Sequence, residues 1–405
     1  MRVLIDQQYH LGHHYAYVKH LLPELLSISG DVHVAITSSG SASKEFTNYL
    51  SPFQSVRFDV LHEEANPSLP MSDRLRVHQS FRGAVDRVRP DYVLIPSGDA
   101  QSTAMALYRW TARGHAPGRV PTEVGIHFGT GRAAHGRKSQ MRDLANAVNL
   151  GLSGVRRVHL VNQLFYEESR RLPIVGRYFS TVPHPVPAPT PLSKQDARRL
   201  LSIPETGRYI GLAASLDSRK AIPEFLAAFR TASTRTDERV LLAGWMNPSH
   251  SAVIERDFGD LIAGDRLMLK TGFLDTATYQ AALAALDVVC TPYPRFYGLS
   301  STLLEGLAAG RPILANAAGW SDAMVSRFGL GWTCDVLNHQ AFVAAIRHAL
   351  DNFETHQETE PIRRLLRYHT PENFARSWTE GIRGAAGLPA KHPLRWEWVQ
   401  AAQSG

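Results

Sequence analysis

The chain has 405 residues, 44% apolar and 20% charged, with 44 Lys/Arg against 37 Asp/Glu for a net charge of +7. That is ordinary globular composition, long enough for two cores of domain size, and it excludes a small stapled module. No apolar run approaches the roughly 20 residues a membrane helix needs, and the opening Met1-Arg2-Val3-Leu4-Ile5-Asp6 turns polar too soon for a signal peptide, so a cytosolic location is expected.

In chain order, strand-like apolar runs at residues 3–6, 32–37, 56–61, 92–96, 124–128 and 158–162 alternate with amphipathic segments such as 15–28 and 73–88. Short strands alternating with helices imply a parallel sheet covered on both faces. Composition breaks at Val182-Pro183-His184-Pro185-Val186-Pro187-Ala188-Pro189-Thr190-Pro191, where alternate prolines admit neither a helix nor a central strand; residues 183–191 therefore read as an extended linker. The same grammar then restarts with a helix over 193–201 and strands over 209–213, 240–243, 267–271, 288–291, 312–315 and 332–335, followed by a helical stretch over 371–384. Two doubly wound α/β domains are expected, over 1–182 and 192–370. Their ligand crevice would lie between them, at the carboxyl ends of the strands.

Charge is unevenly placed: residues 1–186 hold 21 Lys/Arg against 15 Asp/Glu, and 12 of the 18 histidines. No nucleic-acid motif accompanies them, so the bias reads either as a solvated surface or as transient contact with an anionic membrane or polyanionic acceptor. Cys290 and Cys334 fall in apolar strand-like segments as free thiols, and neither makes a metal-ligand spacing.

The richest stretch runs from Tyr297-Gly298-Leu299-Ser300 through Thr302 and Glu305 to Ala309-Gly310-Arg311-Pro312: a glycine loop, a hydroxyl-rich helix start, one glutamate a turn in, and a tight turn into a buried strand. A helix N-terminus offers unpaired N–H groups and the positive end of the macrodipole to a diphosphate or to sugar hydroxyls, with Glu305 as an acceptor for a diol. The same residues also admit a plain capping box, Thr302 with Glu305.

This stretch resembles the nucleotide-sugar signature of the retaining GT-B glycosyltransferases of family 4, the glycogen-synthase-like and mannosyltransferase-like group. Glu305 stands as the signature's second glutamate and residues 309–312 as its turn, while position 297 is tyrosine where the family has its first glutamate. Residues 192–204, 241–244, 270–274 and 285–289 resemble the helix and strands that precede the signature in that family. The resemblance implies a GT-B fold of two Rossmann-like domains, with residues 371–405 crossing back to the first. It implies a retaining transferase moving a sugar from a nucleotide diphosphate sugar to a hydroxyl acceptor in polysaccharide or glycolipid assembly. A non-hydrolysing nucleotide-sugar epimerase and an inactive nucleotide-sugar-binding protein remain as alternatives on the same fold.

Residue by residue, the resemblance assigns Glu305 to the donor ribose, Tyr297 and the backbone of Gly298, Leu299 and Ser300 to the transferred sugar, and Lys220 to the diphosphate. Ser215 stands where the family places an arginine, and Arg219 is the residue that could substitute. Gly12, in the loop after the first strand, would let backbone amides approach the donor. His127, ending the strand 124–128, matches a histidine that reaches the sugar, and is paired here with Lys220 as catalytic. His13 and Asp99 are acceptor-side candidates. Residues 129–132 form a basic loop without a phosphate-loop spacing. Neither a metal nor a cofactor is expected: adjacent His13 and His14 rarely share one ion. The partners expected are a nucleotide sugar, a glycan or glycolipid acceptor and an anionic membrane surface, at the cytoplasmic face and with no nucleic acid.

Overall fold

Strands such as Tyr92–Ile95 and Val288–Thr291 are buried at every position, and so read as continuous apolar runs rather than alternating ones. Parallel sheets covered by helices on both faces demand that pattern. The computed structural model describes residues 1–10, 14–61, 71–99, 101–102, 104–105, 120–127 and 137–401. Gly12, His13 and the loop 129–132 lie outside the described residues. The chain divides into two units, Met1–Pro185 with His369–Trp396, and Val186–Tyr368 with Glu397–Gly405. Among the described residues no helix is long and apolar enough to cross a membrane.

In the first unit β1 (Arg2–Asp6), β2 (Asp31–Thr37), β3 (Arg57–Leu61), β4 (Tyr92–Ile95), β5 (Thr122–Ile126), β6 (Arg157–Leu160) and β7 (Phe179–Thr181) form one parallel sheet in the order β3-β2-β1-β4-β5-β6-β7. β7 is absent from the sequence reading, since three residues running into a proline tract show no period. The helix Pro371–Ala385 packs on the helix His14–Ile28 and covers the start of β4, β5 and β6. There Tyr92 Oη donates to Glu123 Oε1 at 2.6 Å, His159 Nε2 lies 2.7 Å from Glu123 Oε2, and the Trp378 ring sits 4.2 Å from that of His159. Burial works to raise the Glu123 carboxyl, but the His159 hydrogen bond, the His159 and Arg157 charges and Tyr92 hold it below its ordinary range. Gly381 faces this group, and a Cβ there would overlap the carboxylate and the tyrosine hydroxyl. The first half of the proline tract is not loose: residues 182–186 are buried, His184 Nδ1 pairs with Tyr17 Oη at 2.7 Å, and the His184 N–H donates to His369 Nδ1 at 2.9 Å.

In the second unit β8 (Arg208–Ala213), β9 (Glu238–Gly244), β10 (Leu267–Thr271), β11 (Val288–Thr291), β12 (Ile313–Asn316) and β13 (Gly331–Cys334) are parallel in the order β10-β9-β8-β11-β12-β13. The helix Ile222–Ala232 places Ile222, Phe225, Leu226 and Phe229 on one stripe, and Phe225 stacks on Phe342 of the helix His339–Asn352 with ring centroids 5.9 Å apart. Each such side chain contributes about 1.5–3 kcal/mol on burial, which makes this stripe rather than any surface ion pair the main support of the unit. The helix Lys194–Leu200, capped by Ser193, is fastened to the foot of β11 through Asp287, which accepts from Arg198 Nη2 at 2.9 Å, from the Tyr209 N–H at 2.8 Å and from Lys194. The tail beyond Trp396 groups with this second unit rather than the first, and Trp398 lies under Arg364 and Arg367 at 5.1 and 5.6 Å.

Candidate functional site

In the second sheet the strand order reverses between β8 and β11, and the loops leaving those two strands diverge to open a crevice at their carboxyl ends. After β8, Asp217 caps a 3-10 turn, Ser218–Lys220, by accepting the Arg219 N–H at 3.0 Å. Ala221 then takes a left-handed conformation, φ +45°, before the helix Ile222–Ala232. A non-glycine residue held there costs of order 1–3 kcal/mol, tolerated only where the surroundings over-determine it. The turn aims Lys220 across the reversal point, where its Nζ lies 3.7 Å from the centroid of the Tyr293 ring, just beyond β11. Burial pushes the ammonium down to about 8, with Asp217 acting against that shift. Lys220 is thus a cation on an aromatic face rather than a solvated lysine.

The loop after β11 leads to the helix Ser301–Ala308. Its cap is Ser300, whose Oγ accepts the Leu303 N–H at 3.3 Å. The alternative capping box of Thr302 with Glu305 does not form: Glu305 sits too far into the helix, and its Oε2 accepts from Tyr279 on the helix Thr276–Ala285. Burial pushes the Glu305 carboxyl up to about 7, opposed by the Tyr279 hydrogen bond. Thr302 lies beside both phenols, its hydroxyl acting against the burial that raises Tyr279 and Tyr293, while the Tyr293 Oη itself is buried without a hydrogen-bond partner. Glu305, Tyr279, Thr302, Tyr293 and Lys220 therefore form one contiguous group.

Around that group, Ser215 is exposed beside the β8 loop. Arg219 closes on Asp217 in a two-pronged ion pair, at 2.7 and 3.0 Å. Tyr297 is pinned by its backbone: its carbonyl accepts the Trp320 N–H at 3.2 Å, and its Cα rests on Gly319, the first residue of the helix Gly319–Phe328. Gly298 packs against the Phe296 ring, and Leu299 leads to the capping Ser300.

In the first unit the ends of β1, β4 and β5 carry a second polar cluster. The His127 N–H donates to both Asp99 oxygens, at 3.0 and 3.2 Å; its ring Nε2 donates to the Pro96 carbonyl at 2.8 Å, and the ring stacks on Tyr17 at 5.2 Å. His127 and Asp99 are brought together, with Asp99 bracing the backbone beside the histidine. His14 Nδ1 pairs with Ser97 Oγ at 2.6 Å, and Ser97 Oγ donates to Gln7 Oε1 at 3.2 Å. Deeper in, burial pushes Asp6 up to about 6 against hydrogen bonds from Gln101 and Gln8. Among the described residues no group of three or more His, Cys, Asp or Glu is placed to hold a metal ion.

Residues 207–352 match the family model described as Glycosyl transferases group 1. That segment holds Lys220, Tyr279, Tyr293, Tyr297 and Glu305. No curated protein sequence matches the chain. Among solved structures the chain is similar to HepE of Anabaena, solved in complex with UDP, at 14% identity and a TM-score of 0.66 over 95% of this chain and 100% of that one. It is similar to sucrose-phosphate synthase of Thermosynechococcus elongatus at 16% identity and 0.64, over 100% and 98%. For S. aureus MnaA with UDP the values are 13% and 0.64, over 98% and 100%. Likeness at this level shows the fold: two doubly wound α/β units of the GT-B type.

Tyr279 and Tyr293 were not found from sequence. Tyr293 had a signal, since it follows the buried run Val288–Thr291 at a strand's carboxyl end. Tyr279 had none, because its helix is apolar nearly all round and marks no single face.

Proposed function

We propose that the protein is a retaining glycosyltransferase that moves a sugar from a nucleotide diphosphate sugar to a hydroxyl acceptor in polysaccharide or glycolipid assembly. The observation that carries this is the contiguous group from Lys220 to Glu305, lying at the β8/β11 reversal within the segment matched by the family model. Departure of the diphosphate leaves oxocarbenium character on the sugar and negative charge on the leaving oxygens. Lys220 and the N–H groups opening the helix Ser301–Ala308 would meet that charge, and preorganised donors of this kind supply several kcal/mol. Glu305, oriented by Tyr279, would accept the ribose diol. Tyr297 would lie along the transferred sugar. His127, braced by Asp99, would serve on the acceptor side; with its Nε2 on Pro96, it is a positioning group rather than a base in this reading. The leaving phosphate itself takes the acceptor's proton during same-face attack, so no protein general base is named.

Because HepE and MnaA are each described with UDP, uridine diphosphate sugars are the first donors to try. A cytoplasmic location belongs to the same reading. Transfer from such a donor to a hydroxyl acceptor with the anomeric configuration kept, followed by NMR, is the expected result. Conversion of the donor without any acceptor would favour an epimerase. The pairing of Arg219 with Asp217 and the tyrosine at 297 favour a second reading, a binding protein without transfer. Nucleotide binding with turnover no better than that of a Glu305 variant would establish it.

A further inference from the structure

Tyr293 stands just beyond β11 and is 4% exposed. Its ring is held from two sides, under the Lys220 Nζ at 3.7 Å and edge-on to the Phe296 ring at 6.1 Å. Its hydroxyl is not: the Oη is buried without a hydrogen-bond partner, although Thr302, in the first turn of the helix Ser301–Ala308, lies beside it. Tyr279 differs, since its hydroxyl is committed to Glu305. A buried hydroxyl left unpaired costs stability that a phenylalanine in the same space would not. The two cations of the β8 turn are also unequal. Arg219 is closed on Asp217 by two hydrogen bonds, whereas Lys220 faces the reversal point; Ser215, exposed beside the same loop, adds no charge.

We propose that the Tyr293 hydroxyl donates a hydrogen bond to the diphosphate of the donor substrate, sharing that group with Lys220 and the opening N–H groups of the helix Ser301–Ala308. This rests on the reading of the site as one for a nucleotide diphosphate sugar. An ammonium, a phenol and main-chain N–H groups at the positive end of a helix then converge, and all three suit phosphate oxygens. A sugar hydroxyl would also accept from the phenol, but it would not draw on the ammonium and the helix start beside it. Burial raises the phenol above its ordinary value, so it keeps its proton throughout the physiological range and remains a donor. Being uncharged, it adds strength that salt does not screen, where a second cation would add strength that salt does.

UDP, ADP and GDP are titrated into the full chain by calorimetry, and the one bound most tightly is then compared with its own nucleoside, at low and at high salt, in the parent and in Tyr293→Phe. That substitution keeps the ring under Lys220 and removes the hydroxyl alone. The expected result is about tenfold weaker binding of the diphosphate at both salt concentrations, unchanged binding of the nucleoside, and an unfolding temperature no lower than the parent's. Lys220→Gln is the contrast: its loss of diphosphate affinity should shrink as salt rises. Diphosphate binding by Tyr293→Phe equal to the parent's overturns the inference and leaves the reading of the site in place. Equal weakening for diphosphate and nucleoside, with a lowered unfolding temperature, also overturns it and makes the hydroxyl a structural group. A parent that binds none of the three diphosphates denies the reading of the site itself, and the inference falls with it.

Discussion

Glu305 and Lys220 are displaced towards each other in pH, one up to about 7 and the other down to about 8, each mainly by burial. For Glu305 the folded value lies above the ordinary 4.5, so the fold favours the neutral acid: that contribution is complete below pH 4.5 and is lost as pH rises through 7. For Lys220 the fold favours the neutral amine, so its contribution is complete above pH 10.5 and is lost as pH falls through 8. Near neutrality the site therefore holds both charges at some expense in stability, which a diphosphate and a ribose, in the reading proposed, would relieve. UDP affinity measured by calorimetry should be bell-shaped with its maximum between about pH 7 and 8. Glu305→Gln should remove the rising limb and weaken binding by roughly tenfold to a hundredfold, while raising the unfolding temperature at pH 8. Lys220→Ala should remove the falling limb and affect uridine little. An unchanged rising limb in Glu305→Gln would return Glu305 to a structural role. Tyr297 tests the sugar side: Tyr297→Ala should blur discrimination among donor sugars and leave UDP affinity nearly unchanged. Weaker UDP binding with equal treatment of all donors would instead place Tyr297 in the nucleotide pocket.

At the scale of elements, the loop carrying Tyr297 is fixed by the start of a neighbouring helix. Gly319 has φ +67°, and a Cβ there would stand 2.6 Å from the Tyr297 Cα. Gly319→Ala must therefore move one of the two backbones as well as adopt a left-handed conformation that costs an alanine about 1–3 kcal/mol. The expected outcome is a lowered unfolding temperature together with lost donor discrimination; loss of stability alone would show that the loop does not depend on this contact. Among the described residues every strand but β7 was legible in sequence to within about two residues, the buried ones such as β4 and β11 because parallel strands covered on both faces leave unbroken apolar runs. Ser300 to Glu305 was legible as a helix start, but its cap was not, since Ser300 and Thr302 are both hydroxyls and only backbone geometry separates them. The tie from Tyr279 to Glu305 joins two helices 26 positions apart, and no local pattern records such a contact.

At the scale of the molecule, the chain leaves the first unit at Pro185, returns to it at His369 and leaves it again after Trp396, so both units are discontinuous in sequence. The two points of departure and return are hydrogen-bonded to each other, His184 N–H to His369 Nδ1 at 2.9 Å. Burial lowers the His369 ring to about 3, so it stays a neutral acceptor throughout the physiological range. The proline tract, read from sequence as a linker between two domains with residues 371–405 crossing back to the first, thus contains the first unit's point of departure, Pro185, with the point of return at His369. A protein cut at residue 185 lacks the helix that covers Glu123 and His159, and should fail to fold cooperatively. A protein in which Pro185 is joined through a short Gly/Ser bridge to His369, with residues 186–368 removed, should keep its far-UV dichroism and melt in a single transition. Equal folding of the two would deny the returning helix its part in the first core. Such adjacent seams also suit an exchange of the whole intervening segment, so another fold with closely spaced ends could stand between Pro185 and His369 in place of residues 186–368 while the first core stays whole.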